Sequence, residues 1–292
     1  MAGPETVTAT PSGVIHDIGY QRYDGPRLGR WYAVRSLYVH GVRTAFGLGR
    51  SAKAKIFPWL VVGIVGLVAA VLVAIRSQTD QAPITYAEFP EQLSLLIVFF
   101  VAILAPELLS RDLRSGVLPL YFSRPLRRTD YALAKYAALA TALFAMLAGA
   151  QLLMFVGGAF TTGGMGDVWA EVDDLLAGVG YSAVHALLFA AISVLIASLV
   201  SLRAVAAGVI VGVFLFSVPV AGVLTVVPNE TVNELAGLTS PLTLVGGVGD
   251  WLFETTGDFG VGSWGWLYGL TALLVTAGCI ALLMVRYRKV AR

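Results

Sequence analysis

From residue 57 onward the chain alternates between long apolar runs and short polar segments. Six runs, 57–75, 93–109, 136–157, 178–200, 204–226 and 264–285, reach the roughly 20 residues that a helix needs to cross a hydrocarbon core of about 30 Å. The second is the shortest, and Pro106 and Glu107 blur its inner boundary. Ahead of them, over 28–46, the period shortens. Trp31, Val34, Tyr38, Val42 and Ala45 recur at steps of three and four, with Ser36, His40, Arg43 and Thr44 on the opposite arc. That spacing predicts an amphipathic helix lying in the membrane interface, with Arg35 snorkelling out of the apolar arc. Two further apolar stretches, 241–248 and 251–253, are too short to span and too apolar for a free loop. They predict short re-entrant or surface helices in the outer loop before the last span. The pattern therefore describes an all-α polytopic membrane protein with six transmembrane helices. Residues 1–56 form a tail and interfacial helix, 57–285 the membrane domain with loops at 110–135 and 227–263, and 286–292 a second tail.

Composition agrees. With 57% hydrophobic residues, 13% charged and a mean hydropathy of +0.79, the chain departs from soluble domains, in which about 25% of residues are charged. A single cysteine excludes an internal disulfide, and the 32 glycines follow no triplet period. The net charge of +2 points to no nucleic-acid partner, but the placement of each sign is informative. The first residues are polar and carry no cleavable signal pattern, so the N-terminus is expected in the cytosol. That orientation puts 19 of the 20 Lys and Arg residues on the cytosolic side, and only Arg76 outside. Twelve of the 18 acids, from Asp80 to Asp258, fall in the outer segments. Trp264, Trp266 and Tyr268 open the last span on its outer side and Tyr287 closes it inside, as interfacial aromatics do. Both termini are thus expected in the cytoplasm. The Ala/Val/Gly-rich, Arg-over-Lys composition points to a GC-rich bacterium, and the bacterial plasma membrane is the expected location.

Candidate chemistry is sparse. His16, His40 and His185 are dispersed, HExxH and CxxC are absent, and no serine stands in a GxSxG elbow. The four lysines follow Ala52, Ala54, Ala134 and Arg288, so no Gly-Lys step exists to cradle a nucleotide phosphate. Gln151 and His185 lie inside spans, where polar groups are costly; they are candidate pathway residues, although a carbonyl or hydroxyl can satisfy either. The GxxxG pairs Gly208/Gly212 and Gly265/Gly269 either tighten packing within the chain or mark a dimer seam. The most informative segment, 110–135, reads SRDLRSGVLPLYFSRPLRRTDYALAK. It is longer than two packed helices need, and it combines six basic groups with the apolar knot Leu118, Leu120, Tyr121, Phe122 and Leu126. Aromatic and arginine side chains in that mixture suit docking to a protein, while the basic groups alone would also serve to hold topology.

The stretch from Glu107 to Lys135 resembles the segment after the second span of ABC-2 type permeases. Its acid, glycine, apolar stretch, small-residue/Arg/Pro step and terminal lysine correspond to Asp112, Gly116, Leu118–Phe122, Ser123-Arg124-Pro125 and Lys135. Six spans, an N-terminal amphipathic helix and a long outer loop before the last span are also similar. The resemblance implies the transmembrane subunit of an ATP-binding cassette transporter that is not itself an enzyme and carries no cofactor. ATP and Mg would be bound by two copies of a cytosolic nucleotide-binding subunit, and a second permease subunit, the same or a homologous chain, would complete the assembly in the lipid membrane. Arg111, Asp112, Arg114, Gly116, Leu118, Tyr121 and Arg124 would then couple to the ATPase, aided by the interfacial helix through Trp31, Arg35, Tyr38 and Val42. The outer short helices would act as a gate or as a simple cap. Direction would be export, and the nearly uncharged spans favour an amphipathic, lipid-like or drug-like cargo. The competing expectations are a membrane scaffold or sensor that recruits a cytosolic protein without transport, and an intramembrane enzyme acting on lipid.

Overall fold

The computed structural model describes residues 25, 28–79, 83–123, 125–160, 165–254 and 261–289, and among them every regular element is helical. In chain order the α-helices are α1 (Arg30–Ala45), α2 (Ala52–Thr79), α3 (Phe89–Gln92), α4 (Ser94–Leu108), α5 (Ser110–Arg114), α6 (Leu118–Phe122), α7 (Arg128–Ala159), α8 (Met165–Leu199), α9 (Arg203–Leu224), α10 (Glu230–Leu235), α11 (Pro241–Phe253) and α12 (Gly265–Lys289). Six of the described helices are long and apolar enough to cross a membrane: α2, α4 continued by α5, α7, α8, α9, and α12 with the turn before it. Helices are the solution because each backbone donor and acceptor is satisfied within its own segment, which lipid cannot do. The chain is a multi-span helical membrane protein.

All six expected spans are present, and several extend beyond their apolar cores. α7 begins at Arg128, so the last eight residues of the 110–135 segment are its first two turns rather than loop. α8 has 35 residues, about 52 Å of helix against a core of about 30 Å, and carries Glu171, Asp173 and Asp174 beyond the apolar stretch. Pro106 does not end α4, which continues to Leu108.

α4, α7 and α8 form the centre of the bundle, while α2, α9 and α12 leave most of their apolar surface outward. The centre is tight because α7 presents Ala134, Ala138 and Ala142 at four-residue steps, and small side chains let neighbouring helices approach closely. Phe189 of α8 and Phe214 of α9 meet edge to face at 4.7 Å between ring centroids. One end of the bundle gathers Arg30, Arg50, Arg111, Lys135, Arg203 and Arg286 and is called the basic end; the opposite end is acidic.

At the acidic end the stretches 241–248 and 251–253 are one helix, α11, whose residues Thr243 to Gly249 are buried. Tyr181 donates to the Val245 carbonyl at 2.7 Å and Tyr268 to the Glu234 carbonyl at 2.6 Å, tying this segment to α8 and α12. Gly265 and Gly269 seat the Trp251 ring, so that glycine pair tightens packing within the chain. Gly208 and Gly212 do not: no other helix comes within 4 Å of where a Cβ would sit on either.

Candidate functional site

The site at the basic end starts with α1 against α7. Small residues at Gly41 and Ala138 let the two helices nearly touch; a Cβ on Gly41 would lie 2.7 Å from that of Ala138. The stripe that packs is therefore Leu37, Gly41 and Ala45, with Val34, Tyr38 and Val42 half-buried beside it. Trp31, expected on the apolar arc, is 76% exposed, and Arg35 is exposed as well. The difference has a steric cause: close approach selects the smallest residues, whereas periodicity ranks positions by hydrophobicity. Two polar contacts fix the register. Arg30 grips Asp130 with two hydrogen bonds of 2.6 Å, which raises the guanidinium's already high pKa, and Tyr38 pairs its hydroxyl with Thr141 at 3.0 Å. Asp130 also accepts from the Arg127 backbone N–H at 3.2 Å, satisfying an orphan donor at the start of α7.

The segment between α4 and α7 folds as α5 and α6 about Gly116, whose φ of +65° is the left-handed conformation that favours glycine. Asp112 of α5 receives Lys135 Nζ at 2.8 Å and the Tyr131 hydroxyl at 2.8 Å, both from α7. The Tyr131 ring is a hub, lying 5.6 Å from Tyr121, 6.1 Å from Phe122 and 5.2 Å from Tyr287 of α12. Arg128 stacks over Phe122 and donates to the Arg288 carbonyl at 2.9 Å. The expected coupling residues divide accordingly. Asp112, Leu118 and Tyr121 face inward and hold the segment to the bundle, Gly116 makes the turn, and Arg111 and Arg114 are exposed. Arg124 lies outside the described residues.

Between α1 and the 117–126 segment runs a groove of about 550 Å³, walled by Leu28, Tyr32, Leu37, His40, Leu120 and Tyr121 among others. Leu120 is 69% exposed on its rim. Partial burial first, then the nearby Lys135 charge, lower the His40 pKa; Arg43 and Arg111 act in the same sense and Asp112 against it.

Glu107, which in the sequence only blurs the inner boundary of the second span, is a hub of charge. Its carboxylate meets three arginines: Arg50, which precedes α2, Arg111 at 3.4 Å and Arg203 of α9 at 2.5 Å. An acid at the inner end of an apolar span, with Arg111 one turn on, was the available signal; the partners Arg50 and Arg203 lie far along the chain.

Gln151 and His185 are drawn into the core. Gln151 donates to the Tyr86 carbonyl at 2.7 Å and accepts from Ser182 at 3.1 Å, while His185 Nδ1 faces the Tyr181 carbonyl at 3.2 Å. Both are buried; the Gln151 contacts cross-brace α7, α8 and the segment before α3, while that of His185 stays within α8. Arg76, the exception to the charge asymmetry, forms a two-pronged pair with Glu171, to which Tyr86 also donates. Burial and that carboxylate push the Tyr86 phenol up. The pair borders a cavity of about 330 Å³ at the acidic end, shared with Glu88, Glu91 and Tyr181. Among the described residues no three His, Cys, Asp or Glu side chains group closely enough to hold a metal ion.

No protein-family model matches the sequence, and no curated protein matches it at a significant level.

Proposed function

We propose that this chain is the membrane-spanning subunit of an ABC-2 type transporter, driven by a separate cytosolic ATPase. The observation that carries the reading is the groove at the basic end. Its two walls are each held to the first turns of α7, α1 through the Arg30–Asp130 pair and the 117–126 segment through Tyr121 and Phe122 against the Tyr131 ring. A partner seated there would push on both walls together, and these contacts would pass that motion to α7 at the centre of the bundle. By the positive-inside rule the basic end would face the cytosol, where such an ATPase would be found. The exposed Leu120 and Arg114 supply the apolar and charged contacts that a protein partner uses.

Two such chains would enclose the pathway between them, because α2, α9 and α12 keep broad apolar faces uncovered within one chain. Export of an amphipathic, lipid-like or drug-like cargo fits spans with almost no charge.

The test is co-expression with a candidate ABC ATPase whose reading frame adjoins that of this chain, followed by co-purification and ATP hydrolysis. Leu120→Glu and Arg114→Glu alter exposed side chains and leave the Asp112 and Asp130 pairs untouched. Both are expected to reduce co-purification and ATPase stimulation at least tenfold in a chain that still elutes as folded protein. Wild-type association and stimulation in both variants would overturn the assignment.

A further inference from the structure

We infer that the cleft between α4 and α9 is a binding site for one anionic phospholipid, with its phosphate on Arg203 and Arg50 and one acyl chain in the groove above them. The groove holds about 390 Å³ and is lined by Phe99 and Ile103 of α4 and by Gly208, Val211, Gly212 and Phe216 of α9, with three further residues, all apolar. From Ala207 to Phe216 it extends about 14 Å along α9, close to half of a hydrocarbon core of about 30 Å, the depth of one leaflet. Its floor is open because Gly208 and Gly212 carry no side chain and only Phe216 of the same helix comes within 4 Å of either Cβ position.

The polar end of the groove has the complementary chemistry. Ile103 and Glu107 are one turn apart on α4, as are Arg203 and Ala207 on α9, so the charged cluster follows directly beneath the apolar lining. One carboxylate there faces three guanidinium groups, leaving two positive charges in excess. The Arg203 side chain is 46% exposed and that of Arg50 26%, and each keeps guanidinium donors beyond the one on Glu107 to turn toward a phosphate. A zwitterionic lipid would bring a cation to this excess positive charge, and a helix of a second chain would fill the groove without neutralising it. A lipid with a net negative headgroup satisfies both halves.

The test reconstitutes the full chain in vesicles of equal phosphatidylglycerol and phosphatidylcholine, extracts it in mild detergent and counts retained lipid by mass spectrometry. The wild type is expected to retain phosphatidylglycerol preferentially. Arg203→Gln should lower that retention about fivefold, the effect of one basic group at an anionic surface, and Gly208→Leu should lower it by filling the groove. Arg50→Gln serves where either variant fails to elute as folded protein. Equal retention of the two lipids, or unchanged retention in the arginine variants, overturns the proposal. So does displacement of the lipid by glycerol phosphate alone at equal concentration, which would make the site one for free phosphate. Disulfide capture of a second chain by cysteines placed at Ile103 and Val211 would assign the groove to a subunit contact and also overturn it. None of these readings involves an ATPase, so they stand or fall separately from the transporter assignment.

Discussion

Replacing Asp112 by Asn tests the contact that ties α5 to α7. At 2.8 Å and an effective dielectric constant of about 20, the attraction between Asp112 and Lys135 is about 6 kcal/mol before desolvation. Desolvation removes several kcal/mol per ion, so the net worth of the pair is small while the cost of orphaning one partner is not. The partners are unequal: the Lys135 side chain is 4% exposed and that of Asp112 14%. Asp112→Asn strands an ammonium with almost no access to water and should cost about 3 kcal/mol. Lys135→Met leaves a carboxylate that keeps the Tyr131 hydroxyl and some water, and should cost about 1 to 2 kcal/mol. The double variant, with neither charge, should return to within about 1 kcal/mol of wild type, giving a coupling energy of at least about 2 kcal/mol. Unfolding of the purified chain in mixed detergent, titrated with denaturing detergent, measures all four corners of the cycle. Single losses that simply add in the double variant, within about 0.5 kcal/mol, would refute the assigned pairing.

The two ion clusters at opposite ends of the bundle should respond differently. Arg76→Met leaves the 7% exposed Glu171 with only the Tyr86 hydroxyl among the described residues and is expected to cost about 3 kcal/mol. Arg50→Met leaves Glu107 two other arginines and should cost less than about 1 kcal/mol; equal losses in the same unfolding titration would contradict the geometry. His40 should titrate below its ordinary value near 6.5 in a histidine NMR titration, because partial burial and the Lys135 charge favour the neutral ring. The unfolded chain then binds more protons, so stability present above pH 6.5 is lost as pH falls from there through the lower folded value, and His40→Asn should remove that part of the slope. A His40 that titrates at or above 6.5 would be the contrary result.

Six spans, the helix before them and the concentration of arginine at one end were all readable from the order of residues, because hydropathy and charge bias are local sums over a window of about 20 positions. The same local reading placed Asp112 and Tyr121 in a segment of consequence but could not say that they face inward, since both orientations obey the same periodicity. It also turned α1 toward Trp31, when the face that packs is chosen by the fit of Gly41 against Ala138. Ion pairs lay further beyond its reach. Arg50 and Arg203 meet Glu107 from 57 and 96 residues away, and Arg76 meets Glu171 from 95. Such partners are set by which helices lie side by side, and that follows from the packing of small and large side chains across the whole bundle, a property no window along the chain contains.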